Sequence, residues 1–128
     1  MELTGSFFTL LSSEVNEGVG TYNLKLNGDH FIFRCHFPEQ PIVPGVCLIQ
    51  TLAELLSANA GRKLFIKEMH RVKFIRPVYP DQTPELSCQV TSYRDDKGTV
   101  SVSAVFTPLG EPGDVLCRFS ATLVDRAF

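Results

Sequence analysis

The chain lacks a charge imbalance: its 128 residues carry a formal net charge of −2, with acids and bases spread throughout. Without a one-sided field, nothing gathers nucleic acid or holds a membrane surface, and neither is expected as a partner. Cysteines are few. Cys35, Cys47, Cys88 and Cys117 show no CxxC spacing, and the start Met1-Glu2-Leu3-Thr4-Gly5 has no basic, apolar leader. Both features point to a reducing cytoplasm. No apolar run approaches a membrane span, so a soluble chain without membrane insertion is expected. His30 and His70 have no ligand-like spacing to acids or cysteines, so no metal is expected. Repeats, linkers and low-complexity stretches are also missing, and the length suits a single domain over residues 1–128.

What the chain does have is β spacing interrupted by one apolar helix. Two strand-like runs from Phe7 to Leu26 flank the turn Asn16-Glu17-Gly18, with Tyr22, Leu24 and Leu26 alternating with polar residues. This spacing predicts a hairpin. Asn27-Gly28-Asp29 closes it, and Phe31-Ile32-Phe33 leads into a proline arm. Later, Phe65 to Val78, Glu85 to Arg94, Thr99 to Phe106 and Val115 to Val124 read as four strands. Asp95-Asp96-Lys97-Gly98 and Pro108 to Gly113 are the reversals between them. A hairpin, a buried helix and a run of antiparallel strands predict an α+β fold in which a sheet curls round the helix.

The chemistry concentrates at the arm. Three prolines in the seven positions Pro38 to Pro44 stiffen it and bias Phe37, Gln40 and Val43 toward extended backbone. A helix is expected from Val46 to Ala60, with Pro44 suited to its first turn and Gly61 to its C-terminal cap. Val46, Ile49, Ala53, Leu56 and Ala60 form one apolar stripe, with Leu48, Leu52 and Leu55 beside it. Arg62-Lys63 follow where the helix dipole favours positive charge. His36 on the arm is a titratable base near neutral pH, and the N–H groups at the helix start can hold developing negative charge on an oxygen.

These residues also carry a resemblance. His36-Phe37-Pro38, Pro41-Ile42-Val43-Pro44-Gly45-Val46, Leu48-Ile49 and Leu52-Ala53 resemble the signature of the 3-hydroxyacyl acyl-carrier-protein dehydratases of the hot-dog fold. Val72-Lys73-Phe74-Ile75-Arg76-Pro77-Val78-Tyr79-Pro80-Asp81 resembles the strand after the helix, without the usual Gly before Asp81. The likeness covers roughly residues 30 to 125. It implies dehydration of a 3-hydroxyacyl thioester, carried by acyl carrier protein or coenzyme A on phosphopantetheine, to the trans-2-enoyl thioester, with no metal or redox cofactor. It assigns His36 as the base for the α-proton and the helix start at Gly45 and Val46 as the thioester-oxygen site. It also implies a dimer with joined sheets and a shared site, His36 coming from one subunit and the helix residue from the other.

Two positions depart from the family pattern: Glu39 stands for Gly, and Gln50 stands for the acid that helps the 3-hydroxyl leave. An amide binds that hydroxyl but delivers no proton. Glu54 lies one turn on, so the acid either shifts to Glu54 or is lost. Glu54's alternative surroundings are a basic partner or solvent. The readings beside an active dehydratase are a half-site or non-catalytic subunit of a hetero-oligomer, a thioesterase with Glu54 as base, and a simple acyl-chain binder. Cys47 sits where a helix dipole lowers a thiol pKa, but Cys35 and Cys47 are expected to be small buried side chains. Arg71, Lys73 and Arg76 are either solvated strand charges or contacts for an acidic carrier.

Overall fold

The computed structural model describes residues 2–35 and 39–125. The strands are β1 (Phe8–Asn16), β2 (Val19–Leu26), β3 (Phe65–Phe74), β4 (Glu85–Asp96), β5 (Thr99–Pro108) and β6 (Cys117–Val124); the helices are α1 (Ile32–Cys35) and α2 (Gly45–Ala60). All neighbouring strands are antiparallel, in the order β1-β2-β4-β5-β6-β3. In sequence α2 lies between β2 and β3, so it carries the chain across one sheet face to the far edge.

Alternation decides which face α2 covers. Tyr22, Leu24 and Leu26 of β2, Val100, Val102, Ala104 and Phe106 of β5, and Cys117, Phe119, Ala121 and Leu123 of β6 are all buried. They form one core with Leu48, Leu52, Leu55 and Leu56 of α2. Burying each leucine stabilises by roughly 1.5–3 kcal/mol. Register shifts after Leu10, Ile66, Met69 and Val90 mark bulges, and extra residues of this kind increase local twist and curl a sheet around what it covers. The β1–β2 and β4–β5 hairpins turn on Glu17-Gly18 and Lys97-Gly98, all four at positive φ, the backbone that matches the twist of paired strands.

Several boundaries differ from the sequence expectation. α2 begins at Gly45, and Pro44 is its N-cap with extended backbone at ψ 138°. Val46, placed on the apolar stripe, is 69% exposed, because the covered face centres on Leu48, Leu52 and Leu55. β3 stops at Phe74 instead of Val78: the amides of Ile75 and Arg76 both donate to the Leu116 carbonyl, and Val43 N–H donates to Val78 O at 2.8 Å. That last bond ties the end of the proline arm to the chain beyond β3. Residues 32–35 form a helical turn where a simple lead-in was expected. Gly61 caps α2 as expected, its N–H donating to Ala58 O and that of Arg62 to Ser57 O. The Arg62 side chain, however, crosses to Asp95 at 2.6 Å and lies 3.9 Å from Asp125.

Candidate functional site

His36 lies outside the described residues, and the site is built from what surrounds the arm. The arm ends at α2, whose N-cap residue, Pro44, makes no side-chain capping bond. Cys47 N–H already turns back to Pro44 O at 2.9 Å, so the Gly45 and Val46 amides lie at the helix end where the dipole is positive. Gly45 is required by packing as well. A Cβ there would collide with Cζ of the Phe74 ring. The Phe74 ring therefore rests against the helix start, held edge-on to Phe119 with centroids 5.7 Å apart. Cys47 is buried, and burial pushes its thiol pKa up, opposite to the effect expected from the dipole. Cys35 is exposed, contrary to expectation.

One turn into the helix, Gln50 and Glu54 share an edge of α2, and both line a cleft of about 750 Å³. Ala53 and Ser57 of α2 and Leu64, Phe65 and Ile66 at the start of β3 form other parts of its wall. Ser57 joins the two elements: its Oγ donates to Ala53 O at 2.7 Å and accepts from Leu64 N–H at 2.9 Å.

Among the described residues Glu54 has no basic partner, and its carboxylate is not merely solvated. Leu3 N–H donates to both of its oxygens, at 3.0 and 2.8 Å, and Thr4 gives its N–H at 2.8 Å and its hydroxyl at 2.5 Å. Gln50 Nε2 donates to Oε2 at 2.8 Å. Burial works to raise the Glu54 pKa, but the hydrogen bonds from Thr4, Gln50 and Leu3 together outweigh it, and the carboxyl is held below its ordinary range. It is a carboxylate at neutral pH. Sequence reading missed its partners because they lie about fifty residues away on a segment with no motif.

The remaining candidates are dispersed. His30 is buried between the rings of Phe7 and Phe31 and accepts from Ile32 N–H at 3.2 Å. His70 bonds Thr122 Oγ1 at 2.6 Å. Arg76 is paired with Asp114, while Arg71 and Lys73 are exposed. Among the described residues, no group of three or more His, Cys, Asp or Glu could hold a metal, and no helix is long and apolar enough to cross a membrane.

A six-stranded antiparallel sheet curled over one long helix is the hot-dog architecture. The model of the ApeI-like family, described as ApeI dehydratase, matches residues 12–105, and the chain belongs to that family. A 3-hydroxyacyl-acyl-carrier-protein dehydratase, FabZ, from Roseiflexus sp. (strain RS-1) is 35% identical over 98 residues, 70% of this chain and 68% of the relative. Two solved structures share the fold. A chain of the dehydratase heterocomplex ApeI:P from Xenorhabdus doucetiae has a TM-score of 0.68 at 18% identity, over 91% of this chain and 96% of that one. A thioesterase from Haemophilus influenzae has a TM-score of 0.61 at 16% identity, over 95% and 80%.

Proposed function

We propose that this chain acts in the dehydration of 3-hydroxyacyl thioesters, carried on acyl carrier protein or coenzyme A, to trans-2-enoyl thioesters. In this reading it is one half of a two-subunit site. His36 takes the C2 proton. The Gly45 and Val46 amides hold the thioester oxygen as enolate character develops. A carboxyl group from a related subunit protonates the 3-hydroxyl as the C3–O bond breaks, so that water leaves. The proton from C2 remains on His36 and then restores the carboxyl, which closes the cycle.

The observation that carries the half-site form is the Gln50–Glu54 pair. Gln50 has no proton to give, and Glu54 is ionised with both oxygens engaged by Leu3, Thr4 and Gln50. A shifted acid at Glu54 would have to give up the anchor of the N-terminal segment. Loss of general-acid help costs on the order of 10²–10⁴ in rate. Membership in a dehydratase family supports the reaction type. The heterocomplex among the fold relatives supports pairing of unlike subunits as an arrangement open to this architecture.

The test is reconstitution. The chain is assayed on a 3-hydroxyacyl thioester alone and mixed with a family member that bears the acid, and products are identified. The expected result is an enoyl thioester from the mixture, lost when this chain carries His36→Ala. Release of a free thiol would favour a thioesterase instead, and a mixture no faster than the partner by itself would contradict the half-site role.

A further inference from the structure

His30 is a buried titratable group with no part in the reaction proposed above. We propose that it is a positioning residue for the turn that delivers the chain to His36: its neutral imidazole caps α1, and a proton on that imidazole releases the cap. The effect on turnover rests on the dehydratase reading; the cap itself does not.

The ring is only 9% exposed. It stacks on Phe31 with centroids 4.7 Å apart and crosses Phe7 nearly at right angles at 5.5 Å. Its Nδ1 accepts the Ile32 N–H at 3.2 Å. That N–H belongs to the first turn of α1, where the helix has no carbonyl to offer, so a side-chain acceptor stands in, as the usual capping residues do. A ring nitrogen that accepts carries no hydrogen. The proton of the imidazole is therefore on Nε2, and the ring is neutral. A second proton, on Nδ1, would set N–H against N–H and leave a charge between two aromatic rings, so the cap and the charged ring exclude each other. The surroundings do not offset that charge. Phe7 and Phe31, packed on the ring, do not titrate; Asp29 and Arg34, the charged residues beside it in the chain, are exposed; and among the described residues no carboxylate lies within ion-pair distance of it.

The short helix passes the change on. α1 is only Ile32–Cys35, and Cys35 is bonded to His36. Its start is further held by His30 O, which accepts from Phe33 N–H at 3.1 Å, and by Phe31 O, which accepts from Arg34 N–H at 2.9 Å. A single turn of helix is marginal by itself, so one cap is a large share of its hold. Behind His30 the chain is fastened to the core. The His30 N–H donates to Asn27 O at 3.1 Å, the Asn27 N–H donates to Phe7 O at 2.8 Å, and Phe7 is fully buried. The imidazole extends that anchorage to α1. Since imidazoles ordinarily titrate close to neutral pH, mild acid loosens the approach to His36 as well as protonating the base itself.

The experiment follows the His30 ring nitrogens by NMR between about pH 8 and 5, together with the protection of the Ile32 amide against hydrogen exchange, corrected for the intrinsic rate. Protection is expected to fall about two- to thirty-fold, the worth of a cap, as the ring takes up its proton. In His30→Asn, whose amide oxygen caps at any pH, it should stay constant. In a mixture with an acid-bearing family member, the part of kcat/KM that His36→Ala abolishes should fall in acid more steeply than one proton allows, and His30→Asn should return it to one-proton steepness. Ile32 protection that is constant through the wild-type His30 titration overturns the cap, whether or not the variant folds. Equal steepness in wild type and His30→Asn overturns the positioning role. A mixture without turnover overturns the dehydration reading and the positioning role with it, while the Ile32 measurement decides the cap alone.

Discussion

Replacing Glu54 by alanine should destabilise the fold by more than an ordinary exposed substitution on a helix. The carboxylate accepts from Leu3 N–H, from Thr4 N–H and hydroxyl, and from Gln50. Leu3 is fully buried, and a part-buried amide that loses a charged acceptor forfeits roughly 1.5–3 kcal/mol. The Thr4 groups are exposed and find water, which limits their loss to about 0–1 kcal/mol. The total is about 1.5–4 kcal/mol, and for a domain of this size each kcal/mol lowers Tm by roughly 3–5 °C. Thermal unfolding of wild type and Glu54→Ala reads the difference, and amide exchange at Leu3 and Thr4 locates it. The effect also has a pH signature. Because the Glu54 pKa is depressed in the fold, its contribution is complete above the ordinary carboxylate pKa, near about 4.3. It fades as pH falls through the lowered value, so the two stabilities converge in acid. A Glu54→Ala protein within about 0.5 kcal/mol of wild type at neutral pH, the range of ordinary surface changes, would refute the anchoring argument.

Two further predictions concern the helix start and the arm. Gly45→Val would drive a side chain into the Phe74 ring, which already leaves no room for a Cβ; an overpacking cost of about 1–3 kcal/mol is expected in denaturant unfolding, with enoyl formation in the reconstituted mixture reduced further than stability alone explains. His36→Ala should abolish both dehydration and exchange of the substrate's C2 hydrogen with deuterated solvent in that mixture while the far-ultraviolet circular dichroism is unchanged, and full exchange in the variant would remove the role assigned to His36.

The sheet was readable in the sequence because its signals are local. Val100 to Phe106 and Cys117 to Leu123 alternate without interruption, and those residues do face the core; Glu17-Gly18 and Lys97-Gly98 announce their own turns. The helix was readable as apolar but not in orientation. Val46 and Ile49 look equivalent to Leu56 by spacing, and which side of α2 meets the sheet depends on strands far away in the chain. The β3 boundary failed for a similar reason, since Ile75 and Arg76 turn away to a carbonyl on Leu116. At the site, Gln50 and Glu54 were visible as a polar edge on an apolar helix. Their state was not, because the donors that ionise Glu54 belong to Leu3 and Thr4, residues with no motif to mark them. Arg62 shows the same limit: its partners Asp95 and Asp125 are set by the tertiary fold.

The most direct measurement of the proposed function is turnover of a 3-hydroxyacyl thioester by the chain alone, wild type beside Gln50→Glu. The substitution returns a carboxyl group to the helix turn that in wild type offers only an amide, next to an ionised Glu54. A like charge one turn away raises the new group's pKa and favours the protonated acid that the leaving hydroxyl needs. A nearly silent wild type is expected, with an enoyl product from Gln50→Glu, a gain on the order of 10²-fold or more. A wild type already active by itself, with no gain from Gln50→Glu, would contradict the half-site, and two silent proteins that add nothing to the turnover of an acid-bearing partner would contradict the dehydratase reading.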